Sequence, residues 1–214
     1  YGDKYIITKE KRTYYVNWST PTKKGLDVAE DYCRSKGLIS FYIIAAVKRD
    51  SPSMEENFFQ YFNEADIKLQ KYKSISDQII SAHVRRVGHE LPEQQHVHKY
   101  PGKTYYHNAM DYFRTNLSNP LFLFFSDDID WCKSRFIEKD IVFSENNSSI
   151  IDFTMMSHCD HNIITPSSFS WWASWLNINE NKVVIAPDGK LFGPEGPKIS
   201  KDYLPTSVHR IYAE

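Results

Sequence analysis

The chain has 214 residues, of which 41% are hydrophobic and 25% charged, with a net charge of -1. That length suffices for one large domain or two small ones around a real core, and the neutral balance speaks against a nucleic-acid-binding protein, which carries a strong basic excess. The cysteines, Cys33, Cys132 and Cys159, are too sparse for a disulfide framework and read as mostly reduced thiols; no apolar run is long enough to cross a membrane, no signal peptide opens the chain, and the start at Tyr1 rather than Met suggests an excerpt.

In chain order, Lys4, Lys9, Lys11, Arg12, Lys23 and Lys24 make the beginning basic, which reads as a solvated face or flexible end, with Tyr14–Val16 a short strand. Leu26–Lys36 has helical spacing and Gly37 as a stop signal. Ile39–Val47 reads as a buried strand, Ser51-Pro52-Ser53 as a turn or helix start, and Glu55–Phe62 as helical. The pattern changes near residue 78. Ile79–Val84 reads as a strand, followed by a polar segment from Arg85 to Thr104 and a helix over Tyr105–Arg114. Next come a strand at Leu121–Ser126, a helix over Ile129–Phe136 and a strand at Ile141–Phe143. A helix over Ile150–Ser157, capped by Ser149, precedes a strand at Ile163–Thr165. A helix over Ser168–Leu176 and a strand at Lys182–Ala186, ended by Pro187, complete the series. Apolar strands alternating with helices predict an α/β fold: a mostly parallel sheet of about five strands with helices on both faces. The expected division is an atypical N-terminal region, 1–78, and a Rossmann-like domain, 79–214.

Ligands of such sheets lie beyond the carboxyl ends of the strands. There the first strand runs into His83-Val84-Arg85-Arg86 and the second into Ser126-Asp127-Asp128. The fourth runs into Pro166-Ser167-Ser168-Phe169-Ser170, and Asp152 lies near the start of the preceding helix. Ser167 and Ser168 at a helix start offer N–H groups and a dipole that favour an anion. Arg85 can grip phosphate oxygens with a planar fork. Asp152 or Asp127 can accept from a purine edge or from ribose hydroxyls. Together these groups suit a nucleoside diphosphate, although paired serines at a helix start are often only caps.

The run from Asp152-Phe153-Thr154-Met155-Met156-Ser157-His158-Cys159-Asp160-His161-Asn162, followed by Ser167-Ser168-Phe169-Ser170-Trp171-Trp172-Ala173-Ser174-Trp175, resembles the signature of glycosyltransferase family 11, the α-1,2-fucosyltransferases. Ser126–Lys133, His83–Arg86 and Val183–Pro187 are similar to that family as well, and the likeness covers about residues 79–187. The resemblance implies a GT-B-like protein whose C-terminal, Rossmann-type half binds GDP-fucose. In that light Arg85 contacts the diphosphate and is the catalytic candidate. His83 supports the same loop, and Arg86 belongs to the same donor motif. Asp152 is expected at the guanine, Ser167, Ser168 and Phe169 at the phosphates, and Ser126 and Asp127 beside the nucleoside. The implied reaction transfers L-fucose with inversion to a glycan hydroxyl, forming an α-1,2 linkage to galactose, with no metal and no cofactor. The compartment is open: cytoplasm for a bacterial or viral protein, Golgi lumen for an animal one.

Two departures stand against this. The family continues His-x-Arg-Arg into Gly-Asp, whereas here Val87 intervenes before Gly88 and His89. The family's N-terminal Gly-x-x-Gly-Asn-Gln motif is not found in residues 1–78, so no general base is assigned, although His89 and Glu90 are available. An inactive GDP-sugar-binding domain or partner subunit is the alternative, and a different GDP-sugar is a third reading. Blander readings compete locally. The tryptophans at 171, 172 and 175 read mostly as core, and one of Asp127 and Asp128 as a helix cap. The histidines at 83, 89, 96, 98 and 107 lack a recurring ligand spacing for zinc.

Overall fold

The structure, a computed structural model, describes residues 5–9, 12–16, 54–86, 100–177, 179–188 and 208–212. It forms two units, Tyr1–Phe59 and Gln60–Glu214. In the first, Tyr5–Lys9 (β1) pairs antiparallel with Arg12–Val16 (β2), Tyr5 opposite Val16 and Lys9 opposite Arg12. Part of the basic start is thus a hairpin rather than a flexible end. The helix and strand expected at 26–36 and 39–47 lie outside the described residues.

The second unit is built on strands, some of them apolar runs such as 121–125. After the helix Met54–Lys73 (α1) come Ile79–Val84 (β3), Lys103–Asn116 (α2), Leu121–Ser126 (β4), Ile129–Arg135 (α3) and Ile141–Phe143 (β5). Then follow Ser149–His158 (α4), His161–Ile163 (β6), Ser168–Leu176 (α5), Val184–Asp188 (β7) and His209–Tyr212 (β8). The six strands β3–β8 form one sheet in the order β5-β4-β3-β6-β7-β8, and every neighbouring pair is parallel. This is the Rossmann-type sheet with flanking helices that the sequence predicts.

β3 is buried along its whole length, as a central parallel strand must be. Ile80, Ala82 and Val84 join the core that holds Tyr105, Tyr106 and Phe113 of α2. Side chains alternate along a strand, so Ser81 and His83 turn to the other face. There Ser81 Oγ accepts from Asn162 Nδ2 at 2.7 Å, and the His83 ring lies 5.5 Å from that of Phe169. Gly102, at φ 83°, opens α2 in a conformation that disfavours residues with a Cβ.

From β3 the chain steps outward through β4 and β5. It then returns through α4 and begins again on the far side of β3 with β6. The reversal point lies between β3 and β6, where sheets of this order open a crevice at their carboxyl edge.

Several boundaries differ from the sequence reading. α1 continues to Lys73 rather than ending near Phe62. β6 spans His161–Ile163 rather than Ile163–Thr165, because its polar residues are buried and satisfied. His161 Nδ1 accepts from the Val183 N–H at 2.9 Å, and Asn162 Oδ1 accepts from Asn177 Nδ2 at 3.0 Å. Helix α4 is preceded by Ser148 in the cap position, and Ser149 is its first residue.

Pro187 does not end β7. The carbonyls of Val183 and Ile185 face β6, so position 187 faces the same side, past the last β6 pairing at Ile163 and Ile185. The N–H that proline lacks has no ladder partner there to lose. Beyond it lies a strand the sequence reading did not identify, β8, registered with Pro187 opposite Ile211.

Candidate functional site

Parallel strands end at a common edge, so the polar residues that follow β3, β4, β5 and β6 gather there. His83, the penultimate residue of β3, is buried, and its carbonyl accepts from the Tyr106 hydroxyl at 3.0 Å. Its ring touches Phe169, which meets Phe153 edge-on at 5.3 Å. This aromatic chain joins the end of β3 to the start of α5 and to the residue after Asp152.

Arg85 leaves β3 half in solvent, with Nη1 2.8 Å from Asp127 Oδ2. The other oxygen of Asp127 accepts from the Arg86 N–H at 2.9 Å. Arg86 pairs with Asp128 and lies over the Trp131 ring, 4.6 Å from its centroid. Asp128 caps α3, as expected for one member of the adjacent pair, accepting from the Trp131 N–H at 3.2 Å. Ser126 Oγ accepts from the Asp128 N–H at 3.0 Å. The guanidinium of Arg85 is thus drawn toward the end of β4 by Asp127.

On the other side of the reversal point, Ser167 caps α5, its Oγ accepting from the Phe169 N–H at 3.3 Å. Ser168 is the exposed first residue of that helix. The tryptophans behind it are packing, Trp171 and Trp172 being buried and edge-on at 4.6 Å. β3 and β6 are adjacent, with Ala82 beside Ile163, so the loop carrying Arg85 and the turn at 165–168 leave neighbouring strands at one edge.

Asp152 lies in the first turn of α4, mostly buried. Its Oδ1 accepts from Ser144 Oγ at 2.6 Å and from Asn147 Nδ2 at 3.2 Å. Burial raises the carboxyl above its ordinary pKa, and the two hydrogen bonds oppose that rise. Ser144 and Asn147 were not among the sequence candidates. The same rule, polar residues just past a strand end, applies to β5 and singles them out. Asn146 between them takes φ 57°, a left-handed conformation asparagine tolerates.

Among the described residues no three His, Cys, Asp or Glu side chains assemble as metal ligands. His107 pairs with Glu138 at 3.1 Å and His158 with Asp66 at 2.7 Å. His89, Glu90, His96 and His98 lie outside the described residues. Cys132 and Cys159 are buried free thiols.

The arrangement offers a cation and a helix N-terminus to an anion at the crevice. Asp152 is half-buried, with Oδ1 engaged within the protein by Ser144 and Asn147.

Comparison with known proteins identifies several that this chain is similar to. The model of "Glycosyl transferase family 11" matches residues 53–191. The chain is 32% identical over 163 residues to an Escherichia coli alpha-1,2-colitosyltransferase, covering 71% of this chain and 56% of that protein. It is 30% identical over 191 residues to the Escherichia coli O-antigen biosynthesis glycosyltransferase WbnK, covering 83% and 61%. The chain therefore spans somewhat more than half the length of these relatives. A solved structure of NodZ alpha-1,6-fucosyltransferase co-crystallized with GDP aligns with a TM-score of 0.38 and 18% identity over 60% of this chain and 47% of that one.

Proposed function

The chain belongs to glycosyltransferase family 11, and from that premise we propose that it binds GDP-fucose and transfers L-fucose, with inversion, to a galactose hydroxyl of a glycan in α-1,2 linkage. The observation that carries this reading is the reversal of strand order between β3 and β6, with Arg85 on one side and the N-terminus of α5 on the other. An acceptor hydroxyl would attack the anomeric carbon from the face opposite the diphosphate. As the sugar–phosphate bond breaks, negative charge grows on the β-phosphate. The Arg85 fork and the first-turn N–H groups of α5 are the groups suited to meet it, so no cation is required. Asp152 would accept from the guanine N–H edge, and His83, Ser126 and Phe169 would shape the walls.

The test is calorimetric titration of GDP into the chain and into Arg85→Ala. The expected result is saturable binding that Arg85→Ala weakens by about 1.5–3 kcal/mol, the usual worth of a hydrogen bond to a charged group. Absence of GDP binding by the folded chain would remove the proposal. The altered loop from Val87 to His89 favours a second reading, a donor-binding domain without transfer. Retained GDP binding with no fucose transfer by the full-length gene product would select it. The name of the colitosyltransferase sets colitose beside fucose as the transferred sugar. Competition among GDP-fucose, GDP-colitose and GDP-mannose for the site separates these donors.

A further inference from the structure

Arg85 and Arg86 both follow β3 and pair with Asp127 and Asp128, yet their surroundings differ. Arg86 is 25% exposed and its partner Asp128 29%. One oxygen of Asp128 caps α3 through the Trp131 N–H while the other takes the Arg86 guanidinium. The guanidinium also lies on the face of Trp131, whose ring is held edge-on by Tyr100 at 5.6 Å. Charge pair, cation–π contact and helix cap thus share one place. The backbone N–H of Arg86 is fixed as well, by Asp127 Oδ1. Arg85 is 44% exposed and, among the described residues, is held through one ion pair, with Asp127. Asp127 itself is 19% exposed, and a partly exposed pair contributes modestly and can be exchanged for a phosphate.

We propose that the two arginines divide the work. Arg86 is a positioning residue that latches the loop after β3 to the first turn of α3, and Arg85 is the arginine of the pair that exchanges Asp127 for the diphosphate of the ligand. Withdrawing Arg86 toward a ligand would uncover the Trp131 face and take the cation from Asp128 Oδ2, which caps α3 through its other oxygen. Turning Arg85 away from Asp127 leaves that carboxylate its bond to the Arg86 N–H. The proposal rests on the nucleoside diphosphate reading of the site.

A double-mutant cycle on the whole chain tests it, with GDP as the probe: wild type, Arg86→Gln, Asp128→Asn and the double variant, each titrated over a range of salt. Asparagine caps a helix as well as aspartate does, so Asp128→Asn removes the charge pair and keeps the cap. The expected result is that each single change weakens GDP on the order of fivefold, as for a partly exposed pair. The double variant should be no worse than the weaker single, the salt dependence of binding unchanged, and the melting temperature retained. If Arg86 touches the phosphates, Arg86→Gln alone costs on the order of ten- to a hundredfold, Asp128→Asn is neutral, and the salt dependence flattens; that result overturns the division. So does a cycle in which neither change has any effect. Should Arg86→Gln not fold, Trp131→Leu takes its place in the cycle. A wild-type chain that binds no GDP defeats the underlying reading instead, a result distinct from additive effects in a chain that binds it.

Discussion

Replacing Asp152 with asparagine should separate folding from recognition at this site. The carboxylate accepts two hydrogen bonds on Oδ1, from Ser144 and Asn147. An asparagine oxygen can accept both, so the loop from β5 to α4 keeps its anchors. The change also removes a charge whose burial already raises the carboxyl pKa, so stability should hold or improve. Recognition should suffer. The proposed base contact falls to Oδ2, and in the variant an amide N–H group takes that place and opposes the guanine donors. One charge-assisted hydrogen bond is worth about 1.5–3 kcal/mol, so GDP affinity should fall roughly ten- to a hundredfold. Adenine carries an acceptor at the corresponding edge, so ADP should lose less and the preference for GDP should narrow. Calorimetry with GDP, inosine diphosphate and ADP, beside a thermal melt, measures both effects. A folded Asp152→Asn chain that keeps GDP affinity within about threefold, with its preference over ADP intact, would show that Asp152 is only an anchor for the loop.

Two further outcomes follow from groups around the sheet. The Tyr105 hydroxyl is buried and reaches the Ile164 carbonyl at 2.7 Å and the Ile185 carbonyl at 3.0 Å, tying α2 to the residue after β6 and to the start of β7; Tyr105→Phe should cost about 1–2 kcal/mol in denaturant unfolding, and an unchanged midpoint would show that the bond contributes nothing. His161 is held neutral, since Nδ1 accepts the Val183 N–H and Nε2 faces Gln78 Oε1 at 3.1 Å, and burial lowers its pKa below 6.5. The unfolded chain then binds a proton that the folded chain resists, so this group's contribution is full above about pH 6.5 and is lost as pH falls below it. Melts from pH 7.5 to 5 should show that decline, and His161→Gln should flatten it.

Much of the second unit was legible because its signals are local. Continuous apolar runs bounded by turn residues gave β3, β4 and β5 at their observed limits, and Pro166 followed by serines gave the start of α5. Asp128 as a cap follows from its place just past a strand. The polar strand β6 and the short strand β8 were not legible. What makes His161 and Asn162 strand residues is the partners waiting at Val183, Ser81 and Asn177, and β8 acquires its place only beside β7.

The sequence by itself determined the helices of the second unit and its apolar strands β3, β4 and β5, and that their polar ends hold an arginine, serines and carboxylates. It did not determine the order of the strands, the reversal between β3 and β6, the grip of Ser144 and Asn147 on Asp152, or which arginine is tied to α3. Those join residues far apart in the chain, such as His83 and Phe169 or Ile79 and Asp160. Periodicity and capping act within a few neighbouring residues. Contacts of that range are chosen only when apolar faces must be buried together and every buried polar group must find a partner.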